Sequence, residues 1–366
     1  MERLNGYRMR IVLIGVVAAI VLGGKTAKAD FTFGEPTNLG PTVNSPEHDY
    51  GPSISADGLA LYFHSNRPGG YGDYDLWVAK RPTTNDSWEE PFNLGPPVNT
   101  SARDQSPSIS ADGLELYFSS DPPGGHGEHD LYVSTRATPD DDWNSPVNLG
   151  AVVNTSSVDR YPSISADGLE LHFNSNRPGG YGNLDIWITT RTTRDDPWGI
   201  PEHLSAPINT FADDRFPSIS SDGLALFFYS FQRSGGSGDA DLCMTMRGTI
   251  QDDWITPVTL GPTVNTPYSD SGPGISADGR TLFFSSNRPG GLGIHDLWQT
   301  PIIPTVDLNG DGIVDAADMC IIVDYWGTDE PLCDIGPMPW GDGVVDVQDL
   351  IVLAEHLVEE VPRPGR

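Results

Sequence analysis

Positive charge is scarce in this chain of 366 residues, which has 21 Lys and Arg against 51 Asp and Glu, a net charge of −30. Five basic residues and one acidic residue lie before residue 30, so the remainder carries 16 − 50 = −34. Nucleic-acid binding depends on basic patches that neutralise phosphates. The composition therefore excludes ordinary nucleic-acid binding and indicates a highly acidic, soluble protein.

Long hydrophobic runs are missing after residue 30, so we predict no membrane span in the mature chain. At the start of the chain, Arg3, Arg8 and Arg10 precede an apolar stretch at residues 11–24, which falls short of the roughly twenty residues that cross a bilayer. The small residues Ala27 and Ala29 follow. This pattern predicts a signal peptide over residues 1–29 and a secreted protein, extracellular or at the cell surface.

Cysteine and histidine are few, at 3 and 8 residues, and they form no metal-binding spacing. Nucleophile elbows and phosphate-binding loops are missing as well. Any catalytic residues therefore stay unknown at this level.

Glycine and proline are plentiful, with 41 and 32 residues, and they punctuate an internal repeat. Each copy has a short strand such as Pro-Ser-Ile-Ser at 162–165, an Asp-Gly turn, an alternating strand, a Gly-rich loop and a further strand. An Asp-Gly turn between extended segments is a strong hairpin signal. The turn aspartates recur at intervals of 55, 55, 55 and 56 residues: Asp57, Asp112, Asp167, Asp222 and Asp278.

Four strands in each of five copies, with no helical period between them, predict an all-β five-bladed β-propeller over residues 30–303. The segment at 33–40 matches the first piece of each copy, whereas the fifth copy ends at Trp298 without a following one. We therefore expect the N-terminal strand to close the last blade, which pairs otherwise free edges. The rival folds are a β-solenoid and an open array, but solenoid coils are usually far shorter than this repeat.

The third copy, with Asp-Arg-Tyr-Pro-Ser-Ile-Ser-Ala-Asp-Gly at 159–168 and Ser-Asn-Arg-Pro-Gly-Gly at 175–180, resembles the WD-like propeller repeat of TolB-type proteins. The resemblance covers roughly residues 31–303. TolB-type members usually have six blades, whereas this chain has five copies.

Function is expected where the copies differ. Two residues before the repeated proline the copies carry Tyr50, Gln105, Arg160, Arg215 and Ser271. The Gly-rich loops add further candidates: Tyr71, Tyr181, Arg67, Arg177 and Arg288. Aromatic rings and planar guanidinium groups suit a glycan or an acidic oligosaccharide. The alternative is that each loop arginine pairs with an aspartate of a second recurring set: Asp49, Asp104, Asp159, Asp214 and Asp270.

An enzymatic function needs two carboxylates on one cleft, one of them with a raised pKa. The copy-specific candidates are Glu47, Asp73, Asp213 and Asp239, but nothing in the sequence singles out a pair.

The C-terminal region from residue 304 to 358 contains an acidic loop with oxygen donors at positions 1, 3, 5, 9 and 12 and glycine at position 6. Calcium needs six to eight oxygens, which such a loop supplies, with a carbonyl at position 7. The predicted Ca²⁺ ligands of the first loop are Asp307, Asn309, Asp311, Ile313, Asp315 and Asp318. A partial duplicate follows, with Asp342, Val344, Asp346 and Asp349 as ligands. Either Asp334 supplies the first ligand from a longer loop, or this second site is vestigial. The second loop departs from the pattern, because Met338 and Trp340 stand where ligands belong.

Two such half-EF-hands, each with Asp-x-x-Asp before a helix, resemble a dockerin, which implies a cohesin-like scaffold domain as partner. Loop positions 10 and 11 lack the hydroxyl groups typical of cellulosomal modules, so the module either binds another cohesin-like partner or caps the C-terminus. Secretion would permit a disulfide between Cys320 and Cys333. Residues 359–366 are expected to form a tail.

The sequence thus predicts a secreted, non-catalytic carbohydrate-binding propeller anchored into a complex by a calcium-dependent dockerin-like domain. A polysaccharide hydrolase or lyase with its site on the propeller mouth is the first alternative. A structural or surface-layer interaction protein is the second.

Overall fold

The computed structural model describes residues 31–122, 124–231, 233, 235–304, 306–308, 313–328, 330, 333–336, 341 and 344–357. The predicted signal peptide and the predicted ligands Asn309, Asp311 and Asp342 lie outside these residues. The described chain forms two compact units, one at Phe33–Ile303 and one that includes the described residues from Pro304 onward. Among the described residues, no helix is both long and apolar enough to cross a membrane.

The first unit is built of β-strands. In chain order they are β1 (Phe31–Phe33), β2 (Thr37–Asn38), β3 (Asp49–Ile54), β4 (Ala60–Ser65), β5 (Asp75–Lys80), β6 (Phe92–Asn93), β7 (Asp104–Ile109), β8 (Glu115–Ser120), β9 (Asp130–Thr135), β10 (Val147–Asn148), β11 (Asp159–Ile164), β12 (Glu170–Ser175), β13 (Asp185–Thr190), β14 (Glu202–His203), β15 (Asp214–Ile219), β16 (Ala225–Phe231), β17 (Ala240–Met246), β18 (Val258–Thr259), β19 (Asp270–Ile275), β20 (Thr281–Ser286) and β21 (Asp296–Pro304). A single helical turn, α1 (Gly261–Val264), follows β18.

These strands form five antiparallel sheets, the blades of a five-bladed β-propeller, as the sequence predicted. Blades 1 to 4 are β3–β6, β7–β10, β11–β14 and β15–β18, and blade 5 combines β19, β20 and β21 with β1 and β2. Asn38 of β2 pairs with Trp298 of β21, so the predicted closure by the N-terminal strand is confirmed. Each inner strand contacts its two neighbours, and β19 contacts β3 to complete the ring.

The core lies between neighbouring blades, because each sheet is apolar on both faces. Leu76 of blade 1 packs with Leu116 and Phe118 of blade 2. At the closing junction, Phe63 of blade 1 packs with Phe283 of blade 5. The blades therefore stabilise each other.

The Asp-Gly turns between the first two strands of each blade are hydrogen-bonded as the sequence suggested. In blade 1, Asp57 accepts hydrogen bonds from the Ser55 hydroxyl at 2.6 Å and from the Leu59 amide at 2.9 Å. Gly58 has φ +72°, a conformation that favours glycine. This turn fixes the register of β3 and β4.

The second unit contains two nine-residue helices, α2 (Ala316–Asp324) and α3 (Val347–Glu355). Asp315 and Asp346 cap them, and each cap forms a reciprocal pair of hydrogen bonds with an aspartate three residues later, Asp318 or Asp349. Val314, Ile322, Val345, Leu353 and other apolar side chains form a separate core. The two halves of this unit thus repeat the same local structure.

The predicted disulfide between Cys320 and Cys333 is wrong, since both are free thiols, as is Cys243. Cys320 is exposed on α2, whereas Cys333 is 1% exposed within the core of the second unit. Their side chains therefore point into different environments.

Candidate binding site

A recurring asparagine fixes the blades to each other. Asn154, in the segment between β10 of blade 2 and β11 of blade 3, accepts a hydrogen bond from the Leu131 amide at 2.8 Å and donates one to the Leu131 carbonyl at 3.0 Å, which anchors this connection to blade 2. The same two bonds occur at every junction, and the asparagines are Asn44, Asn99, Asn154, Asn209 and Asn265. These residues give the ring a uniform framework.

The recurring aspartates at the start of the inner strands are buried within the same framework. Three of the predicted ligand-binding arginines donate to them: Arg67 to Asp49, Arg177 to Asp159 and Arg288 to Asp270. The last two distances are 2.6 Å. Each guanidinium also lies over Phe and Trp rings of its own blade. These three arginines are thus nearly buried and engaged in ion pairs, the alternative that the sequence left open.

The central channel is narrow. Proline, serine and isoleucine of the inner strands line it, and its cavity volume is about 100 Å³. Ser53 accepts a hydrogen bond from the amide of Ile109 in the next blade at 3.1 Å, and Ser108, Ser163 and Ser218 do the same at the following junctions. A volume of this size holds water molecules rather than a sugar chain.

At the closing junction, Gly274 replaces the repeated serine. A Cβ atom at Gly274 would lie 2.2 Å from the Pro52 carbonyl oxygen. The backbones of blades 5 and 1 therefore approach too closely for a side chain here.

The mouth is the end of this channel at which the inner strands begin, formed by the two residues before each repeated proline. A register shift interrupts each inner strand here. The second residue has φ between +55° and +65° in all five blades: Gly51, Ser106, Tyr161, Phe216 and Gly272. Left-handed backbone is costly for residues other than glycine. Blades 2, 3 and 4 thus keep this β-bulge although their residues at this position have a side chain that disfavours a positive φ.

Aromatic side chains from several blades meet at the mouth. The rings of Tyr161 and Phe216 stack with centroids 3.9 Å apart, and Tyr50 meets Phe216 edge-on at 5.4 Å. The Tyr50 hydroxyl donates to Ser271 of blade 5. Burial raises the pKa of both Tyr50 and Tyr229, so these phenols stay neutral hydrogen-bonding groups. Blades 1, 3 and 4 therefore share one aromatic cluster, which blade 5 contacts through Ser271.

Two guanidinium groups flank this cluster. Arg215 donates to Asp213 and lies 4.9 Å from the Phe231 centroid. Burial favours the neutral form of Asp213, but the charge and hydrogen bond of Arg215 outweigh it, so the pKa of Asp213 is lowered. Arg160 lies 5.1 Å from the Tyr161 centroid and donates to the Tyr161 hydroxyl at 3.1 Å. The mouth thus combines flat apolar faces with cationic donors.

Histidines occupy the junction of blades 5 and 1 at the mouth. His48 and His295 have their Nδ1 atoms 3.1 Å apart, and the Tyr50 ring lies next to His295. His64 accepts a hydrogen bond from the Ser106 amide at 3.2 Å. Burial lowers the pKa of His64 to about 3 and that of His295 to about 4. These two imidazoles are therefore neutral near pH 7.

The predicted ligand-binding residues do not form one group. Tyr50, Arg160 and Arg215 belong to the mouth, and Gln105 occupies the equivalent position in blade 2. Tyr71 and Tyr181 are 57% and 47% exposed and lie over outer strands: Tyr181 is 5.0 Å from His203 of β14, and Tyr71 is next to Gly95 after β6. The loop tyrosines therefore contact other parts of the blades.

Sequence reasoning missed Tyr161, Phe216, Tyr229 and Phe231. A usable signal was the residue before each repeated proline, which reads Gly, Ser, Tyr, Phe and Gly in blades 1 to 5. Tyr229 comes from the middle strand β16, where alternation alone does not show which face meets the channel.

The carboxylates suggested for catalysis lie in different parts of the propeller. Asp73 pairs with Arg103 at 2.9 Å on the exposed rim, and Asp239 is exposed on its loop. Asp213 is the one held at the mouth by Arg215. The Glu47 carbonyl accepts from the Ile294 amide at 3.0 Å, next to His48.

In the second unit, Asp318, Asp334 and Asp349 are almost fully buried. Asp318 accepts from the Leu308 and Asp315 amides at 2.8 and 2.9 Å. Burial raises the pKa of Asp349 although its oxygens accept hydrogen bonds from the Asp346, Gly336 and Ile335 amides. Among the residues that the structure describes, no group of three or more His, Cys, Asp or Glu side chains is arranged to hold a metal ion.

No protein-family model matches the chain, and no curated protein matches it. Among solved structures, a putative TolB from Agrobacterium tumefaciens is 15% identical, covers 77% of this chain and 99% of that chain, and has a TM-score of 0.44. The catalytic domain of a GH62 alpha-L-arabinofuranosidase from Coprinopsis cinerea is 11% identical, with 75% and 97% covered and a TM-score of 0.49. An arabinanase from Bacillus subtilis is 15% identical, covers 72% of this chain and 97% of that chain, and has a TM-score of 0.47. At these identities the likeness concerns the fold alone.

Proposed function

We propose that the protein is a secreted binding module whose propeller mouth takes a carbohydrate ligand. The observation that supports this most is the contrast within the repeat. The framework residues are the same in five blades, whereas the mouth combines Tyr50, Tyr161 and Phe216 with Arg160 and Arg215. A constant scaffold with a varied rim of aromatic and guanidinium groups fits ligand recognition.

The ligand sits on the mouth and not inside the channel, because the channel has too little volume for a sugar. Tyr161 and Phe231 are partly exposed at the mouth. Sugar rings present apolar C–H faces to such rings, and their hydroxyl groups accept hydrogen bonds from guanidinium forks.

A comparison of two aromatic variants tests this site. Tyr161→Ala should reduce binding to polysaccharides in affinity electrophoresis by about tenfold, the effect expected when one aromatic anchor is lost. Tyr71→Ala removes an equally large ring from an exposed loop and should leave binding unchanged. Thermal melting would verify that both variants fold. If wild-type protein binds none of a broad panel of neutral and acidic glycans, or if only Tyr71→Ala weakens binding, the proposed site is wrong.

Glycoside hydrolysis at the same mouth is the second candidate. Asp213 favours it, since a carboxylate with a lowered pKa stays ionised and suits a base or nucleophile. A general acid is the missing half, because none of the other suggested carboxylates is held with Asp213. Release of new reducing ends, abolished by Asp213→Asn, would establish the enzyme in place of the binding module.

For the second unit, we propose calcium binding and docking to a cohesin-like partner. Asp318 and Asp349 are buried carboxylates, and residues 304–357 contain no lysine or arginine to balance them. Buried charges need a counter-charge, and hard oxygen donors suit Ca²⁺. The remaining predicted ligands of this unit are Asp307, Ile313, Asp315, Asp334, Val344 and Asp346.

Calcium titration by calorimetry tests this proposal. Asp318→Asn should abolish binding to the first loop, whereas Asp324→Asn, an equal charge change on exposed helix surface, should not. Excess chelator should reduce the helical circular dichroism signal and leave the propeller transition in place. Unchanged helicity without calcium, or equal effects of both variants, would contradict the proposal.

A further inference from the structure

Between blades 2 and 3, the mouth contains buried polar groups that the protein does not satisfy. Within the described chain, Arg160 Nε and both ring nitrogens of His129 are buried and have no hydrogen-bond partner. Most buried polar groups in proteins are hydrogen-bonded, so a cluster of exceptions calls for an explanation such as a ligand. Arg160 comes from the inner strand β11 of blade 3.

His129 directly precedes β9, the third strand of blade 2, and lies next to the segment that leads to Arg160. It forms a parallel bridge with Val158, two residues before Arg160, and it is 7% exposed. The charged groups that act on it are Arg160, Asp121, Arg103 and Glu128. Burial lowers its pKa first, and Arg160 lowers it further. In the free protein a neutral imidazole therefore lies close to a cation.

Arg160 differs from the other arginines at this end of the ring. Arg215 pairs with Asp213, and Arg103 pairs with Asp73 on the rim. Arg67, Arg177 and Arg288 pair with the buried aspartates of their blades. Among the described residues, no carboxylate forms an ion pair with Arg160. In a chain with a net charge of −30, Arg160 is thus a cationic donor at the mouth that no described carboxylate neutralises.

We propose that Arg160, with His129 beside it, forms an anion pocket that receives the carboxylate of an acidic sugar bound at the mouth. The inference rests on the proposed carbohydrate binding and names its ligand class. A guanidinium binds a carboxylate through two parallel hydrogen bonds, and a protonated imidazole adds a third donor. The Tyr161 ring next to Arg160 supplies the apolar face for the same sugar.

The overall negative charge restricts the ligand further. Long-range repulsion between the acidic protein and an anionic polymer is screened beyond about 8 Å at physiological ionic strength. A direct contact with Arg160 acts at shorter range and survives that screening. A short oligosaccharide with few carboxylates therefore fits better than a densely charged polymer.

The test uses the full chain and three probes in calorimetry: trigalacturonate, its neutral methyl ester, and inorganic phosphate. Trigalacturonate should bind at least tenfold more tightly than the ester, and phosphate should compete weakly. Arg160→Gln should remove about tenfold to a hundredfold of the affinity for trigalacturonate, the usual effect of a charge-assisted hydrogen bond. Arg160→Lys keeps the charge without the fork and should recover only part of it.

Arg103→Gln is the matched control, because it removes the same charge from the same rim but from an exposed ion pair. It should change the affinity less than threefold. NMR titration of His129 gives an independent measurement: bound trigalacturonate should raise the imidazole pKa, since the carboxylate stabilises the protonated ring.

Each remaining outcome decides between the two proposals. Equal binding of trigalacturonate and its ester would overturn the anion pocket and leave carbohydrate binding intact. Equal losses in Arg160→Gln and Arg103→Gln would mean general electrostatics and would also overturn the pocket. Phosphate binding as tight as that of trigalacturonate would show a simple anion site without a sugar. Failure of both trisaccharides to bind, with no other glycan bound, would overturn both proposals.

Discussion

The two ends of the propeller channel differ in how the five blades are used. At the turn end, the same Ser-x-Asp-Gly hairpin occurs in every blade, with Ser Oγ to Asp Oδ1 distances of 2.5–2.7 Å. At the mouth, equivalent positions hold tyrosine, glutamine, arginine, arginine and serine. Because the framework hydrogen bonds are made by other residues, the residues at the mouth can differ between blades. Positions that are the same in all five copies thus mark the scaffold, and positions that differ between copies mark the candidate site.

Acid should affect this molecule strongly, and the mouth more than the turn end. The pKa values of His64 and His172 are lowered to about 3 and that of His295 to about 4, because burial penalises the charged ring. The unfolded imidazole takes up a proton near pH 6.5. Stability should therefore fall as the pH drops from about 6.5 to 4, by several kcal/mol in all. Raised pKa values of Asp104 and Asp214 offset part of this loss.

Thermal melting at pH 7.5, 6 and 5 measures this effect. His172 stands where blades 4 and 5 have phenylalanine, and both of its ring nitrogens are buried without a partner. His172→Phe should therefore raise stability at pH 5 more than at pH 7.5. A melting temperature that does not change between pH 7.5 and 5 would contradict the prediction.

A framework asparagine should matter more than any polar residue of the mouth. Asn154→Ala leaves the buried amide of Leu131 without a partner and its carbonyl with the Leu149 amide alone, which should cost about 2–4 kcal/mol. Asn144→Ala is the control, since Asn144 is exposed and should cost less than about 0.5 kcal/mol. Urea denaturation gives both values. Equal values for the two variants would mean that the junction bonds do not hold the ring together.

The smallest expected effect concerns the bulge. Ser106 has φ +57°, at a position where blades 1 and 5 have glycine. Ser106→Gly should stabilise the protein by about 1 kcal/mol, because glycine adopts this backbone without strain. Ser106→Ala keeps the Cβ atom and should give no such gain. Stabilisation of both variants to the same degree would show that the buried hydroxyl, and not the backbone, is the costly feature.

Much of the ring was predictable because it depends on local chemistry. Asp57 and its equivalents specify tight turns, alternation specifies half-buried strands, and the unmatched end of the fifth copy specifies closure by residues near Asn38. The site was predictable only in part. Tyr50, Arg160 and Arg215 were identified by their variation, but Tyr229 and Phe231 come from another strand of blade 4 and reach the mouth through packing.

The arginines show why spacing alone was not enough. Arg67 and Arg160 have the same side chain, yet Arg67 donates to Asp49 across 18 residues and Arg160 pairs with no carboxylate among the described residues. The sequence alone offers carboxylates with which either arginine could form an ion pair. Which arginine is paired depends on the path of the Gly-rich loop over the start of the inner strand.

The sequence by itself determined the five-bladed ring, its closure and the two capped helices, since each follows from residues that are neighbours along the chain or repeat at a fixed interval. Only the tertiary structure decided which side chains meet at the mouth, because the five inner strands are brought together by packing between blades. The same packing pairs some arginines, such as Arg67, with buried carboxylates, whereas Arg160 lies at the mouth beside His129.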